Sequence, residues 1–518
     1  MKANILFSDN LHFHKRNFKS LIEAVESLKH DVEYNQDYID WMALYGDYTS
    51  KFSSLSGYYS LLERLNKDEL FCYEVRGVNI YDIARAELLA YIIPAKQLYK
   101  LDLSDDGEEV FDYIYLNCKE DLLLNMSAAL FWLDFWYNKV VVNKKKYTHV
   151  FTFSGSNIYS KSLIKVCQST ISKVFVTETS LTGNDYYIEE RSSHLANNSD
   201  IKLLAIRRRH LAELEGDNSP YNVRLKAINK LRLAKNKNVT QPYSEVSEIK
   251  FDNDNHLVTI LGQVVNDYSV IETKFGWLST VHVYKLLIEE ILKKTNYNVV
   301  FKSHPWEEKK ANCGSDITYQ EISSFLETEI SETSRVKVIK NYDVDVLFEE
   351  SKHVVLLNSQ AGIEAASHGI KPVVLGEAFY GDFGFTYNCS SIEEVIDSLM
   401  TTSGSLTLEE YDKYELFLAL YLEKHLFSVH PSGTKKVKSE IFTPSHKIPI
   451  VKKAKPVKSV KEVAKEKDET YLEHSELVEE LVDQSTASQV KNGIVYFFTD
   501  FNKFKKKLKK NLVNGNDN

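Results

Sequence analysis

Residues 353–375 read HVVLLNSQAGIEAASHGIKPVVL. An apolar run, His353–Leu357, stops at two polar residues, Asn358 and Ser359. Small and apolar residues then recur at helical spacing from Ala361 to His368, and Gly369 breaks the pattern before a second apolar run, Pro372–Leu375. A short apolar strand, a helix and another apolar strand make a β-α-β unit, which requires parallel strands. Working upstream, strand-like runs at Leu257–Leu261, Asn298–Lys302 and Val336–Ile339 alternate with helical patterns at Thr280–Lys293, Ile317–Glu329 and Val344–Glu350. Such runs are apolar throughout rather than alternating, as expected of a parallel sheet covered on both faces.

A second α/β region lies further upstream. Ala3–Phe7 reads as a strand followed by a helix, Phe18–Leu28, and further strand-like runs occur at Thr148–Phe153 and Lys173–Thr177. The residues between, up to Lys146, are rich in Leu, Tyr and Glu at helical spacing. Their most apolar run, Leu122–Trp136, is broken by Asn125 and Asp134 and is too short to span a bilayer, so a buried helix is expected. Helices at Ile392–Met400 and Leu408–Tyr421 close the globular part. The fold class expected is α/β, with two Rossmann-like lobes around a cleft. The boundaries expected are 1–245 for the first lobe, 246–442 for the second, 443–490 for a charged linker and 491–518 for a basic, aromatic end.

Composition sets limits on function. Of the 518 residues, 43% are hydrophobic and 12% aromatic, which excludes extensive disorder. The net charge of −9 argues against a general nucleic-acid binder. That charge is unevenly spread: residues 447–518 hold 15 Lys against 11 Asp plus Glu, leaving the body near −13. Five scattered cysteines without a CxxC, and Asp9 where a signal peptide would continue its apolar core, point to a reducing cytoplasm. Lysines beside Phe498, Phe501 and Phe504 suggest that the end of the chain lies on an anionic membrane surface.

Open parallel sheets bind ligands in the loops that follow their strands. After Leu261 comes Gly262-Gln263-Val-Val-Asn-Asp267-Tyr-Ser269, in which Asp267 can act as nucleophile or base and Gln263 can donate and accept. The same aspartate also suits a helix N-cap. Lys302-Ser-His304-Pro-Trp306 offers two cations for a phosphate. Asn358-Ser359 opens a helix whose free N–H groups and dipole suit a nucleotide phosphate, with Gly362 allowing close approach and Glu364 able to reach a ribose. The loop from Gly376 to Thr386, including Tyr380, would close over a base or sugar. Glu178 ends a strand of the first region and would face the cleft from the other side. Asp343-Val-Asp345 mimics a metal-nucleotide DxD but fits helix capping better, and no metal or other cofactor is expected. Neither GxGxxG nor a P-loop is present.

The ordered set GQVVNDYS, KSHPW, NSQAGIEAASHGIKPVVLG and AFYGDFGFT resembles the bacterial capsule polysaccharide biosynthesis glycosyltransferases, the Kdo transferases among them. Thr177-Glu178-Thr179-Ser180 is similar to that family's E-x-G segment, with Ser180 in place of the glycine. The resemblance covers roughly residues 145 to 390. It implies a GT-B-like fold, a CMP-sugar donor, a glycan or lipid-linked acceptor and no metal. It further implies retention of configuration, with Asp267 as nucleophile, Glu178 as acid/base, and His304 and Lys302 on the departing phosphate. Ser359 would bind that phosphate, and Asn358 and Glu364 would hold the nucleoside. The alternatives weighed are an inverting CMP-sialic acid transferase and a non-catalytic scaffold of a capsule assembly complex.

Overall fold

Leu257–Leu261 is buried along its whole length, and this strand is the middle of a six-stranded parallel sheet. The computed structural model describes residues 2–443, apart from 144, 235–248, 274–275, 311–312 and 331–332. In chain order its two large sheets are built from β1 (Asn4–Phe7), β2 (Asp31–Tyr34), β3 (His149–Phe153), β4 (Lys173–Thr179), β5 (Asp185–Glu190), β6 (Leu257–Leu261), β7 (Asn298–Lys302), β8 (Val336–Ile339), β9 (His353–Leu356), β10 (Val373–Leu375), β11 (Tyr387–Cys389) and β12 (Phe427–Ser428).

The second sheet has the order β8-β7-β6-β9-β10-β11, and all its pairings are parallel. Register matters for function here. Leu261 pairs with Lys302 on one side and Leu356 on the other, so three strands end level and release their loops at one edge. The first sheet has the order β12-β5-β4-β3-β1-β2. Its core of β2, β1, β3 and β4 is parallel, while β5 and β12 add antiparallel strands. Phe153 pairs with Thr177, which puts Ser154 beside Glu178 at the matching edge.

Between β2 and β3 the chain is mostly helical, as expected, apart from a short antiparallel pair, Glu74–Val75 with Val78–Asn79. Lys119–Trp136 is a helix with most of its residues buried. The polar interruptions noted in this run have specific partners: Asn125 Nδ2 donates to Gly46 O at 2.9 Å, and Asp134 accepts from Tyr58 Oη at 2.7 Å. Gly46 has φ +92°, and a Cβ there would lie 2.5 Å from Cβ of Tyr91, so only glycine fits. Among the described residues no helix is long and apolar enough to cross a membrane.

The structure departs from the expected division at the C-terminal side. The second lobe was drawn through residue 442, yet β12 pairs antiparallel with β5 of the first sheet. Helix Leu408–Leu418 bridges the lobes, Tyr414 Oη donating to Ile363 O at 3.0 Å while Asp412 pairs with Arg224 at 2.6 Å, and the π-helical turn Ala419–His425 lies against helix Pro220–Arg232. The physical reason is a tertiary pairing: Tyr187 Oη meets Tyr421 Oη at 2.5 Å, and buried Glu189 accepts from His425 at 2.8 Å. Neither partner is legible from sequence spacing. Residues 444–518, where the linker and basic end were expected, lie outside the described residues.

One apolar core runs from the helical region into the second sheet. Polar ties cross the same boundary. Asn266 Nδ2 donates to Ala90 O (2.7 Å), Leu278 N to Leu103 O (2.9 Å) and Ser279 Oγ to Tyr99 O (2.7 Å). Lys161 pairs with Glu272 at 3.0 Å. The loop carrying Asp267 is therefore held from behind by the first lobe.

Candidate functional site

The level ends of β6, β7 and β9 face the ends of β3 and β4 across a cleft of about 430 Å³. Gln263, Asp267, Lys302, His304, Asn358, Ser359 and Glu364 line it from the second lobe, and Glu178 lines it from the first. The structure thus gathers eight of the ten residues that the sequence singled out. Gly362 and Tyr380 do not line it. Tyr380 is fully buried beneath the loop and its hydroxyl donates to Ser359 O at 2.5 Å. A Cβ on Gly362 would meet that hydroxyl at 2.4 Å, so the glycine admits a phenol rather than a ligand. Tyr380 supports the cleft wall; Phe379 beside it is the residue of this loop that reaches the cleft, which Tyr187 and Tyr268 also line.

Asp267 N-caps the short helix Tyr268–Ile271, accepting from Ser269 N at 2.8 Å. Both readings of this residue thus coincide in one side chain, because a cap leaves the second carboxylate oxygen unused. Burial raises its pKa, but the ammonium of Lys310, the hydrogen bonds from Ser269 and the nearby His304 outweigh that and hold it below the ordinary range. Glu178 behaves oppositely. Burial, then repulsion by Asp267 and Glu189, pushes its pKa up to about 8, against the weaker pull of Arg191. Two carboxylates in one cleft with pKa values driven apart is the arrangement in which one stays ionised while the other carries a proton.

Lys302 is almost fully buried, and burial lowers its pKa to about 8, with Asp343 opposing. Burial likewise brings His304 down to about 4, opposed by Asp267 and reinforced by Lys302 and Lys310. The neutral imidazole has a defined tautomer. Trp306 N–H donates to Nδ1 at 3.2 Å, so Nε2 keeps the proton and is a donor. Asp343 is an N-cap, accepting from Asp345 N at 2.8 Å, as capping predicts for this DxD-like pair. Among the described residues no group of three or more His, Cys, Asp or Glu is arranged to hold a metal ion.

The loop after β9 plays a different part from the one expected. Asn358 exchanges two hydrogen bonds with Gln263 (Nε2 to Oδ1, 2.9 Å; Asn358 N to Oε1, 3.0 Å) and donates to Ser269 O at 2.9 Å. It cross-ties two loops rather than offering free groups. The helix Ala361–Ser367 is seven residues long, and its leading N–H groups already have partners: Ala361 N on Ser359 Oγ, Gly362 N on Ser359 O and Ile363 N on Gln360 O. Cations of the neighbouring loops, not this helix end, are the groups available to an anion.

The sequence reading missed several cleft residues. Lys310 lines the cleft and donates to Asn266 O at 2.9 Å, but its setting, Glu307-Glu308-Lys309-Lys310, reads as a solvated surface. Glu307 in the same run is fully buried. It accepts from Val265 N (2.9 Å), Thr318 N (2.8 Å) and Thr318 Oγ1 (2.7 Å), which clamps the Asp267 loop to the His304 loop. Ser154 lines the cleft in a left-handed conformation, φ +60°. A non-glycine residue there gives no signal in the sequence.

Residues 206–402 match the family model described as capsule polysaccharide biosynthesis protein. No curated protein matches the chain. Among solved structures, similarity is found to a Thermosulfurimonas dismutans KpsC β-Kdo 2,4 transferase, at 13% identity over 55% of this chain and 83% of that one, TM-score 0.36. A β-Kdo 2,7 transferase of the same organism gives 15% identity over 54% and 78%, TM-score 0.32. A Methanocaldococcus jannaschii UDP-GlcNAc 2-epimerase gives 11% over 82% and 99%, TM-score 0.27.

Proposed function

We propose, from the match of residues 206–402 to the capsule polysaccharide biosynthesis model, that the protein is a glycosyltransferase of capsule or surface polysaccharide synthesis. In this reading it transfers a sugar, Kdo by the resemblance of its motifs, from a CMP-activated donor to a glycan or lipid-linked acceptor with retention of configuration. The observation that carries the reading is the pair of carboxylates facing one cleft from opposite lobes, Asp267 ionised and Glu178 protonated, with Lys302, Lys310 and His304 beside Asp267.

The chemistry follows in two displacements. Asp267 attacks the anomeric carbon as the bond to the donor phosphate breaks, and CMP leaves carrying that electron pair. Lys302, Lys310 and the Nε2–H of His304 meet the charge gathering on the phosphate. An acceptor hydroxyl then attacks the same carbon, its proton passes to Glu178, and the ester to Asp267 breaks. Electrostatics time the second proton transfer. Burial and the ionised Asp267 together keep Glu178 protonated; once Asp267 is esterified its share of the repulsion is gone, so Glu178 more readily releases its proton to water in the opened cleft and, as a carboxylate, accepts the proton of the acceptor hydroxyl. Glu364 remains a cleft residue suited to a ribose hydroxyl. Lysines serve the phosphate in this scheme, so it calls for no metal.

The test is release of CMP from CMP-Kdo in the presence of a glycan acceptor, with the anomer of the product read by NMR. Inversion would replace the two-step scheme by the direct displacement of a sialyltransferase-like enzyme, and failure to bind CMP in calorimetry would leave the scaffold reading. Attachment to the inner face of a membrane through residues 491–518 belongs to this proposal and concerns residues outside those described.

A further inference from the structure

The edge of the first sheet opposite the cleft carries a different kind of site. Lys2 precedes β1, while Lys29 and His30 precede β2, so all three stand at the N-terminal ends of parallel strands. Helix Thr434–Ile441 brings Lys435 and Lys438 to the same place, one turn apart. Together they line an open recess of about 830 Å³ with no carboxylate in its lining. Lys2 is paired with Asp31 at 2.7 Å; Lys29, Lys435 and Lys438 have no ion-pair partner among the described residues.

The charge of this face points to an anionic occupant. Four lysines with Asp31 as the one paired carboxylate leave a net positive face, and an anion bound there would relieve their mutual repulsion. The shape selects which one. A closed pocket with converging donors would suit a single phosphate, whereas here the lysines stand around a wide mouth. Leu28, 39% exposed, and Phe442 add apolar surface between them. The sequence that follows Thr443 continues the same charge with Lys447, Lys452, Lys453 and Lys455.

We propose that this face docks the folded body on the anionic phospholipid headgroups of a membrane, independently of the basic end of the chain. Because the recess lies at the edge opposite the cleft, docking leaves the mouth of the cleft clear. The inference stands apart from the glycosyltransferase reading, since it requires no activity.

The experiment uses the full chain and vesicles of phosphatidylcholine with or without phosphatidylglycerol. Wild type is expected to co-sediment with the anionic vesicles and not the neutral ones, and to be released as salt rises. Lys29→Glu/Lys435→Glu/Lys438→Glu should weaken partitioning by more than about 100-fold, since the loss of each lysine's charge alone is worth about a factor of five. A Lys→Gln triple variant with unchanged thermal unfolding guards against misfolding and should show a smaller loss in the same direction. Equal partitioning of triple variant and wild type would overturn the proposal and assign attachment to residues after Thr443. It is equally overturned if wild type ignores the vesicles but binds inorganic phosphate or duplex DNA in a way the triple variant does not.

Discussion

The two sheets of this protein were built by different means. In the second, each strand lies between parallel neighbours or at a sheet edge under helices, so burial on both faces makes the strands continuous apolar runs such as Leu257–Leu261 and Asn298–Lys302. In the first, the parallel core is extended by β5 and β12, whose sequences, DYYIEE and FS, carry no such run. Their stability comes from partners far away, with Glu189 held by Ser199 Oγ at 2.6 Å and His425 Nε2 at 2.8 Å. A sheet made of local β-α-β units announces itself. A sheet finished by a strand returning from more than 200 residues away does not.

The functional division follows the same line, which suggests ways to break it. The largest effect is expected at the second lobe's carboxylate: if Asp267 is the nucleophile of the proposed scheme, Asp267→Ala should lower transfer by about 10³-fold or more, because a nucleophile has no substitute. Loss of the cap should cost only about 1 kcal/mol, so the variant stays folded and CMP titration remains possible. Full activity in that variant would remove Asp267 from the chemistry.

On the first-lobe side, Glu178→Gln should lower transfer by about 10²-fold or more while CMP binding persists. It also reports on stability. The folded-state pKa of Glu178, about 8, is above that of an ordinary carboxyl, so the folded protein binds the extra proton. Stability linked to this group is therefore present at low pH and lost as pH rises from near 4.5 through 8. Wild-type Tm should fall across that window more steeply than the Tm of Glu178→Gln; parallel curves would show that the group titrates normally.

A smaller, purely structural effect tests the wall between the two regions. Gly362→Ala drives a methyl into Tyr380 Oη and should destabilise by about 1–3 kcal/mol. Adding Tyr380→Phe removes the atom that is struck and should recover part of the loss, read as Tm of the single and double variants. The smallest change is expected in the pH dependence of Lys310→Met, beside the loss of rate that follows from its place at the phosphate in the proposed scheme. It leaves Asp267 in place but removes its leading cationic neighbour, so the acid limb of the pH–rate profile should move to higher pH.

The legibility of the site tracks the legibility of the strands. Gln263, Asp267, Lys302, His304 and Asn358 were found because each directly follows or ends a readable strand. Lys310 and Glu307 were missed because their run looks solvated, and only the packing of Thr318 and Val265 shows that one of them is buried. Tyr380 was placed wrongly in the cleft because a loop of glycines and aromatics looks the same whether its ring faces a ligand or the space that Gly362 leaves open.

The sequence by itself determined the parallel β-α-β architecture, the loops that bear the cleft's polar groups and the uneven charge along the chain, because hydrophobic periodicity and turn chemistry are local. Tertiary structure alone decided which carboxylate holds its proton more tightly, which asparagine ties two loops together, and where residues 419–443 belong. Those outcomes depend on burial and on distances between groups remote in the chain, and a pKa or a pairing has no value until the fold has brought its neighbours together.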